Sequence, residues 1–183
     1  HMAKLVSKTY GDALFELAVE ENCVDSISEE VIAVEEALKT NPDLFKLLNH
    51  PKIDKVEKIK LVKEIFDKKV SDNLVGFLTI MIDKERQNNI IETFEYFTAR
   101  VKEYKNIGVV TVATPMELSE TQKEELVKKL LATTKYVKLE VDYKIDESLI
   151  GGMVIRIGDR VVDSSIKTKL SELTKDLTKI QLA

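Results

Sequence analysis

With 183 residues, the chain is long enough for one medium domain or two small ones, and 44% apolar with 33% charged residues mark it as globular rather than disordered. A formal net charge of −4, from 28 basic and 32 acidic residues, excludes a uniformly basic protein that coats nucleic acid, though it leaves room for a local basic patch. The longest mainly apolar run, Leu74 to Ile82, is far short of the roughly 20 residues that a membrane-spanning helix needs.

The first segment, Lys4 to Glu21, places Val6, Tyr10, Leu14 and Leu17 at helical spacing, with Ala13 and Ala18 beside them. Val24, Ile27, Val31, Val34 and Leu38 recur at steps of three and four and predict a second helix. Asn41-Pro42 reads as a helix start, with Asn as the cap and Pro at the first helical position. The short helix it opens carries Leu44, Phe45, Leu47 and Leu48, and Pro51 closes it. Asp54 with Glu57 resembles a capping box for a fourth helix, whose inward positions are Val56, Ile59, Val62, Ile65 and Phe66. Ser71 or Asp72 starts a fifth helix, Asn73 to about Glu85, which is apolar almost all round. Such a helix sits centrally in a bundle or is covered by a partner. The sixth, about Asn88 to Tyr104, carries Ile91, Phe94, Phe97, Val101 and Tyr104. Six helices joined by short polar connections predict a compact bundle.

Near residue 106 the pattern changes. Val109 to Ala113 is β-branched and strand-like, Pro115 ends it, and Ser119 with Gln122 is a capping box for an amphipathic helix through Leu126, Val127, Leu130 and Leu131. From Tyr136 to Lys144 the residues alternate, with Val137, Leu139, Val141 and Tyr143 on one face. After Gly151-Gly152, Met153 to Ile157 reads as a buried strand, Gly158-Asp159 as a two-residue hairpin turn and Arg160 to Val162 as its return strand. Asp163 or Ser164 then caps a last helix with Ile166, Leu170, Leu173, Leu177 and Ile180 in its stripe. The expected fold is α+β: a six-helix bundle over 1–105, then a small α/β domain over 106–183 with about four strands and two helices.

Taken together, Ile145-Asp146, Leu149-Ile150-Gly151-Gly152, Ile155-Arg156, Gly158-Asp159 and Asp163-Ser164-Ser165 form a pattern. It resembles the C-terminal signature of the delta subunit of bacterial F-type ATP synthases, a family related to the mitochondrial oligomycin-sensitivity-conferring protein. The resemblance extends over essentially the whole chain, with Tyr10, Ala13 and Arg86 as individual matches in the first half. One departure is Glu85, before Arg86, where the family often has a glycine.

Catalytic chemistry finds few candidates. Cys23 is the only cysteine, which excludes an intrachain disulfide or a cysteine cluster for metal and suits a reducing compartment. His1 reads as a tag remnant, which leaves His50 as the histidine to consider, so no metal pair and no ordinary catalytic triad can be assembled around a second one. The glycines between Gly151 and Gly158 have neither phosphate-loop nor dinucleotide-loop spacing. Paired carboxylates such as Glu29-Glu30, Glu35-Glu36 and Glu124-Glu125 lie opposite apolar stripes and read as solvated faces. No catalytic residue, metal or cofactor is expected.

Charge is unevenly spread. Residues 9–36 hold nine acidic groups and no basic one, a surface suited to steering a basic amphipathic helix. Residues 46–69 hold eight lysines against four acids, and the run Lys52, Lys55, Lys58, Lys60, Lys63, Lys68 and Lys69 offers an alternative reading as a nucleic-acid adaptor over 52–69. Without arginine or interleaved aromatics, a solvated helix face is the better account of it. A third reading is an enzyme that uses the Gly151–Gly158 loop.

Two apolar strips remain. Tyr10, Ala13, Leu14 and Leu17 on the first helix are more than one buried edge requires, and Gly76, Thr79 and Ile80 lie off the core stripe of the fifth. From spacing alone, both strips either pack inside the bundle or receive a partner. The family resemblance implies the second: a groove between the first and fifth helices holds the N-terminal helix of an alpha subunit, and the C-terminal domain meets the C-terminal ends of the b-subunit dimer. It further implies a non-catalytic stator subunit, one copy per complex, peripheral on the cytoplasmic face of the membrane, with Asp146, Leu149, Gly151, Gly152, Arg156, Gly158, Asp159, Asp163 and Ser164 as structural signature residues.

Overall fold

The computed structural model describes residues 1–164. The element order is α1 (Met2–Glu20), α2 (Val24–Thr40), α3 (Pro42–Leu48), α4 (Lys55–Phe66), α5 (Asp72–Asp83), a 3-10 turn at Gln87–Asn89, α6 (Ile90–Tyr104), β1 (Ile107–Thr114), α7 (Glu120–Thr133), β2 (Lys138–Ile145), β3 (Val154–Ile157) and β4 (Arg160–Asp163). The chain divides into two compact units, His1–Val101 and Lys102–Ala183. The fold class is α+β, with helices first and then a mixed sheet flanked by α7. The last helix, expected through Ile166 to Ile180, falls outside the described residues.

In the first unit, one core collects the inward stripes of all the long helices: Leu14 and Ala18 from α1, Ile27, Val31 and Val34 from α2, Val62 and Phe66 from α4, Leu74, Leu78 and Met81 from α5, and Phe94 and Phe97 from α6. The expectation that Val56 points inward is corrected, because it is 70% exposed. It is the second residue of α4, two residues before Lys58 and so about 200° round the helix from the row Lys58–Val62–Phe66 that the helix buries. Capping follows the sequence closely at three helices. Asp54 accepts from the Glu57 amide at the start of α4, Ser71 from the Leu74 amide at α5, and Ser119 with Gln122 makes a reciprocal capping box at α7. Asn41 is the N-cap of α3 with Pro42 at its start, as expected, but its side chain makes no bond to that helix. Its Nδ2 donates backwards to the Ala37 carbonyl at 2.8 Å, so the side chain closes α2 rather than opening α3.

Helices α1 and α5 end in the same way. The Cys23 amide donates to the Ala18 carbonyl and the Asn22 amide to Val19, while Asn22 takes a φ of 54°. At the end of α5, the Arg86 amide donates to Met81 and the Glu85 amide to Ile82, with Glu85 at a φ of 58°. Both are the paired hydrogen bonds that terminate a helix through a left-handed residue. Asparagine tolerates that conformation and glycine is best suited to it, whereas glutamate is strained in it.

In the second unit, the strand order is β2-β1-β3-β4. β1 and β2 run parallel, connected through α7, while β1 with β3 and β3 with β4 are antiparallel. Val110 and Val112 of β1, Ile155 and Ile157 of β3 and Met153 pack on Leu126 and Leu130 of α7. Alternation along β2 holds for Leu139, Val141 and Tyr143, which pack against this core. Val137, expected on the same face, precedes the strand and is 71% exposed. Its amide donates to the Asn106 carbonyl instead, because the chain is still entering the sheet.

Candidate partner-binding surface

Helix α1 is fixed to α6 before it meets anything else. Gly11 is buried, and a Cβ there would collide with the Tyr96 ring. The Tyr96 hydroxyl donates to Asp12 Oδ1 at 2.8 Å, and Arg100 Nε reaches the same oxygen at 3.1 Å. The Arg100 guanidinium also lies 4.6 Å from the centre of the Phe15 ring. This half-buried cluster sets the rotation of α1 about its own axis, and so decides which residues face away.

On its other flank α1 meets α5. The Tyr10 ring stands edge-on to Phe77, with centroids 6.4 Å apart, and Phe77 stacks on Phe94 beneath at 6.2 Å. Asn73 Nδ2 donates to Glu21 Oε2 at 2.6 Å. Position 73 pairs with 21 and position 77 with 10, so the two helices run antiparallel along this seam. Above it lie two rows at four-residue spacing, the spacing that lines residues up along one helix face. On α1 the row is Leu5, Thr9, Ala13, Leu17 and Glu21; on α5 and its cap it is Asp72, Gly76, Ile80 and Lys84.

The sequence-selected residues divide accordingly. Ala13, Gly76 and Ile80 are exposed, Ile80 at 52%, and Leu17 and Tyr10 are half-buried beside them. Nothing lies within 4 Å of a Cβ built on Gly76. Leu14 lies elsewhere, fully buried in the core, since it sits on the same side of α1 as Gly11 and Ala18. Thr79 is two residues from Phe77, about 200° round the helix. Its hydroxyl donates to the Val75 carbonyl at 2.9 Å, on the flank turned from α1. Leu5, which the sequence reading did not select, extends the strip and is 63% exposed. Its position four residues before Thr9 and eight before Ala13 is the signal that identifies it.

Elsewhere the candidate groups serve the backbone. Asp146 accepts from the Ser148 amide at 3.1 Å, and its own amide donates to the Thr114 carbonyl, closing the turn after β2. Gly151, Gly152 and Gly158 all have positive φ, between 58° and 67°. Ser164 Oγ donates to the Met153 carbonyl at 3.1 Å, tying the end of β4 to the residue before β3. Arg156 and Asp159 are exposed, Leu149 is half-buried and Asp163 is exposed. Among the described residues, no group of three or more His, Cys, Asp or Glu is placed to hold a metal ion.

Burial, and then the charges of Glu21 and Glu30, push the Cys23 thiol up, away from reactivity. In the lysine-rich stretch, Lys58 is buried and Lys55 reaches both the carbonyl and the carboxylate of Asp83, at 3.2 and 3.9 Å. Within α4 the lysines Lys55, Lys58, Lys60 and Lys63 point to different sides of the helix at about 100° per residue. A cavity of about 630 Å³ lies between α2, α3 and α4 and is lined by residues such as Ala37, Leu44, Ile65 and Phe66. It is separate from the α1–α5 strip.

Among the described residues, the helical unit thus leaves an apolar strip exposed between α1 and α5, and a β-α-β-β sheet unit follows it. The family model for the ATP synthase delta (OSCP) subunit matches residues 6–177. A protein called ATP synthase subunit delta from Lachnoclostridium phytofermentans is 56% identical, covering 99% of this chain and all of that protein. One of the same name from Desulforamulus reducens is 37% identical over 94% of each chain. A chain in the cryo-EM structure of the Toxoplasma gondii mitochondrial ATP synthase hexamer shares the fold, with a TM-score of 0.67 at 20% identity over 93% of this chain and 96% of that one. The chain belongs to the ATP synthase delta (OSCP) subunit family.

Proposed function

We propose that this chain is the non-catalytic stator subunit of an F-type ATP synthase, peripheral at the cytoplasmic face of the membrane and present once per complex. Its helical domain, 1–105, holds the N-terminal helix of an alpha subunit of the catalytic head. Its α/β domain, 106–183, holds the C-terminal ends of the b-subunit dimer of the peripheral stalk. By joining the two, it resists rotor torque during proton-driven ATP synthesis. The observation that carries this reading is the uncovered strip of Leu5, Ala13, Leu17, Gly76 and Ile80 along the α1–α5 seam. An amphipathic helix laid in such a strip is held by apolar burial, and the bare Gly76 lets its backbone approach closely. Neither a cofactor nor a nucleotide takes part.

The test is binding of a synthetic peptide from the N-terminus of an alpha subunit to the full chain. Gly76→Trp fills the open space over α5 without touching the core, and Tyr10→Asp places a charge at the floor of the strip. Each is expected to weaken binding by about tenfold or more, a difference of roughly 1.4 kcal/mol. Unchanged affinity in both variants removes the strip from the reading.

A further inference from the structure

The same strip carries a charge gradient along its length. At the end where α1 finishes and α5 begins stand Glu16, Glu20, Glu21 and Asp72, all exposed. Glu30 adds a further carboxylate there, accepting from the Ser71 amide at 3.0 Å and from the Ser71 hydroxyl at 2.7 Å. The nearby Lys69 lines the cavity between α2, α3 and α4, and Arg100 is engaged with Asp12. At the other end, Lys55 pairs with Asp83 at 3.9 Å, Lys84 and Glu85 follow Asp83 in the chain, and the first half of α1 adds Lys4 and Lys8. The strip is thus carboxylate-rich at one end and slightly cationic at the other. From Leu5 to Glu21 it spans about 24 Å at the helical rise, more than two Debye lengths at physiological salt, so the two ends act as separate fields.

Resting on the reading that this strip receives a partner helix, we propose that it is directional: its occupant is an amphipathic helix whose cationic residues lie towards one end, seated with that end over Glu16, Glu20, Glu21 and Asp72. A helix laid the other way round meets like charges at the Lys84 end and leaves the carboxylates without counter-charges. Apolar burial alone does not distinguish the two directions, because the rows Leu5–Thr9–Ala13–Leu17 and Gly76–Ile80 accept an apolar face from either end. The side-chain charges fix the direction, and they outweigh the half-charges of the occupant's own helix dipole.

Two synthetic amphipathic peptides of about 18 residues, with identical apolar faces, test this. One carries its lysines in the N-terminal half and the other in the C-terminal half, and each bears a nitroxide at its cationic end. Amide NMR of the isotopically labelled full chain reads where the nitroxide broadens signals. In both peptides it is expected to broaden Leu17, Glu20, Glu21 and Asn73 and to spare Leu5, Ile80 and Lys84, by a preference of about tenfold at low salt that shrinks towards equality near 1 M salt. Replacing Glu16 and Glu20 with Gln, both exposed and outside the core, is expected to weaken binding about threefold and to erase most of the preference. Broadening that follows the peptide's chain direction instead of its charge, or that falls equally on both ends, overturns directionality and leaves the strip as a binding surface. Absence of peptide-induced shifts along α1 and α5 overturns the strip itself, and directionality with it.

Discussion

Glu85 stands where the α5 terminus needs a residue in the left-handed region, and it holds a φ of 58° there under two helix-closing hydrogen bonds. A non-glycine residue pays about 1–2 kcal/mol for that conformation. Glu85→Gly is therefore expected to raise the stability of the full chain by about 1 kcal/mol, part of the relief being cancelled by the freer unfolded chain, as read from the midpoint of urea unfolding. Gly11→Ala is expected to move the other way. Alanine favours a helix interior by about 1 kcal/mol, but its Cβ runs into a Tyr96 ring that Asp12 holds in place. Overpacking of that kind costs about 1–3 kcal/mol, so the same measurement should show a net loss. Neither outcome can be read from residue type. Gly11 and Gly76 look alike in sequence, both lying within helical spacing, and only the position of Tyr96 makes one indispensable and the other open.

At the scale of an element, helical periodicity located α1 through α6 because each long helix buries one stripe, and stripe and period are the same fact. Periodicity did not separate the core residue Leu14 from its strip neighbours Tyr10 and Leu17. All three lie within one apolar arc, and the border between core and rim depends on where α5 and α6 pack. Thr79 lies off the core stripe as expected but on another flank than Ile80, since adjacency in sequence says nothing about the flank a helical residue occupies. The open position of Gly76 gives a test within α5 alone. Gly76→Ala adds a Cβ that meets nothing within 4 Å, so it is expected to stabilise the chain by about 1 kcal/mol in denaturant unfolding.

Helix α2 offers a test by pH. Burial raises the pKa of Glu35, although Lys39, one turn on at 3.7 Å, partly offsets it. The folded chain thus binds this proton more tightly than the unfolded chain does, so its contribution to stability falls as pH rises through the ordinary carboxylate range and past the raised value. Glu35→Gln removes the ionised form. The variant's stability relative to the parent is expected to be greater near pH 7 than near pH 4, and a difference that grows on acidification would contradict the assignment.

For the whole molecule, the change at residue 106 from helical period to alternation was visible in the sequence because the two units bury different kinds of surface. The signature of the second unit was equally visible, as glycines and short polar side chains at turns that demand them. The strip was less so, because a binding surface made of ordinary Leu, Ala, Gly and Ile differs from a core only in being left uncovered. Under the proposed function, that strip and the chemistry of ATP belong to different proteins, and the two can be separated experimentally. Tightness of head binding resides largely in the off-rate, so a tenfold loss of affinity shortens the life of the head–stator contact about tenfold. In an ATP synthase reassembled with the Gly76→Trp chain, proton-driven synthesis is expected to fall with that lifetime, while ATP hydrolysis by the head alone stays at its parental rate. Side-by-side assays on inverted vesicles and on the released head read the two activities. Loss of both together, or full synthesis despite weakened peptide binding, would mean that torque is not carried through the α1–α5 strip.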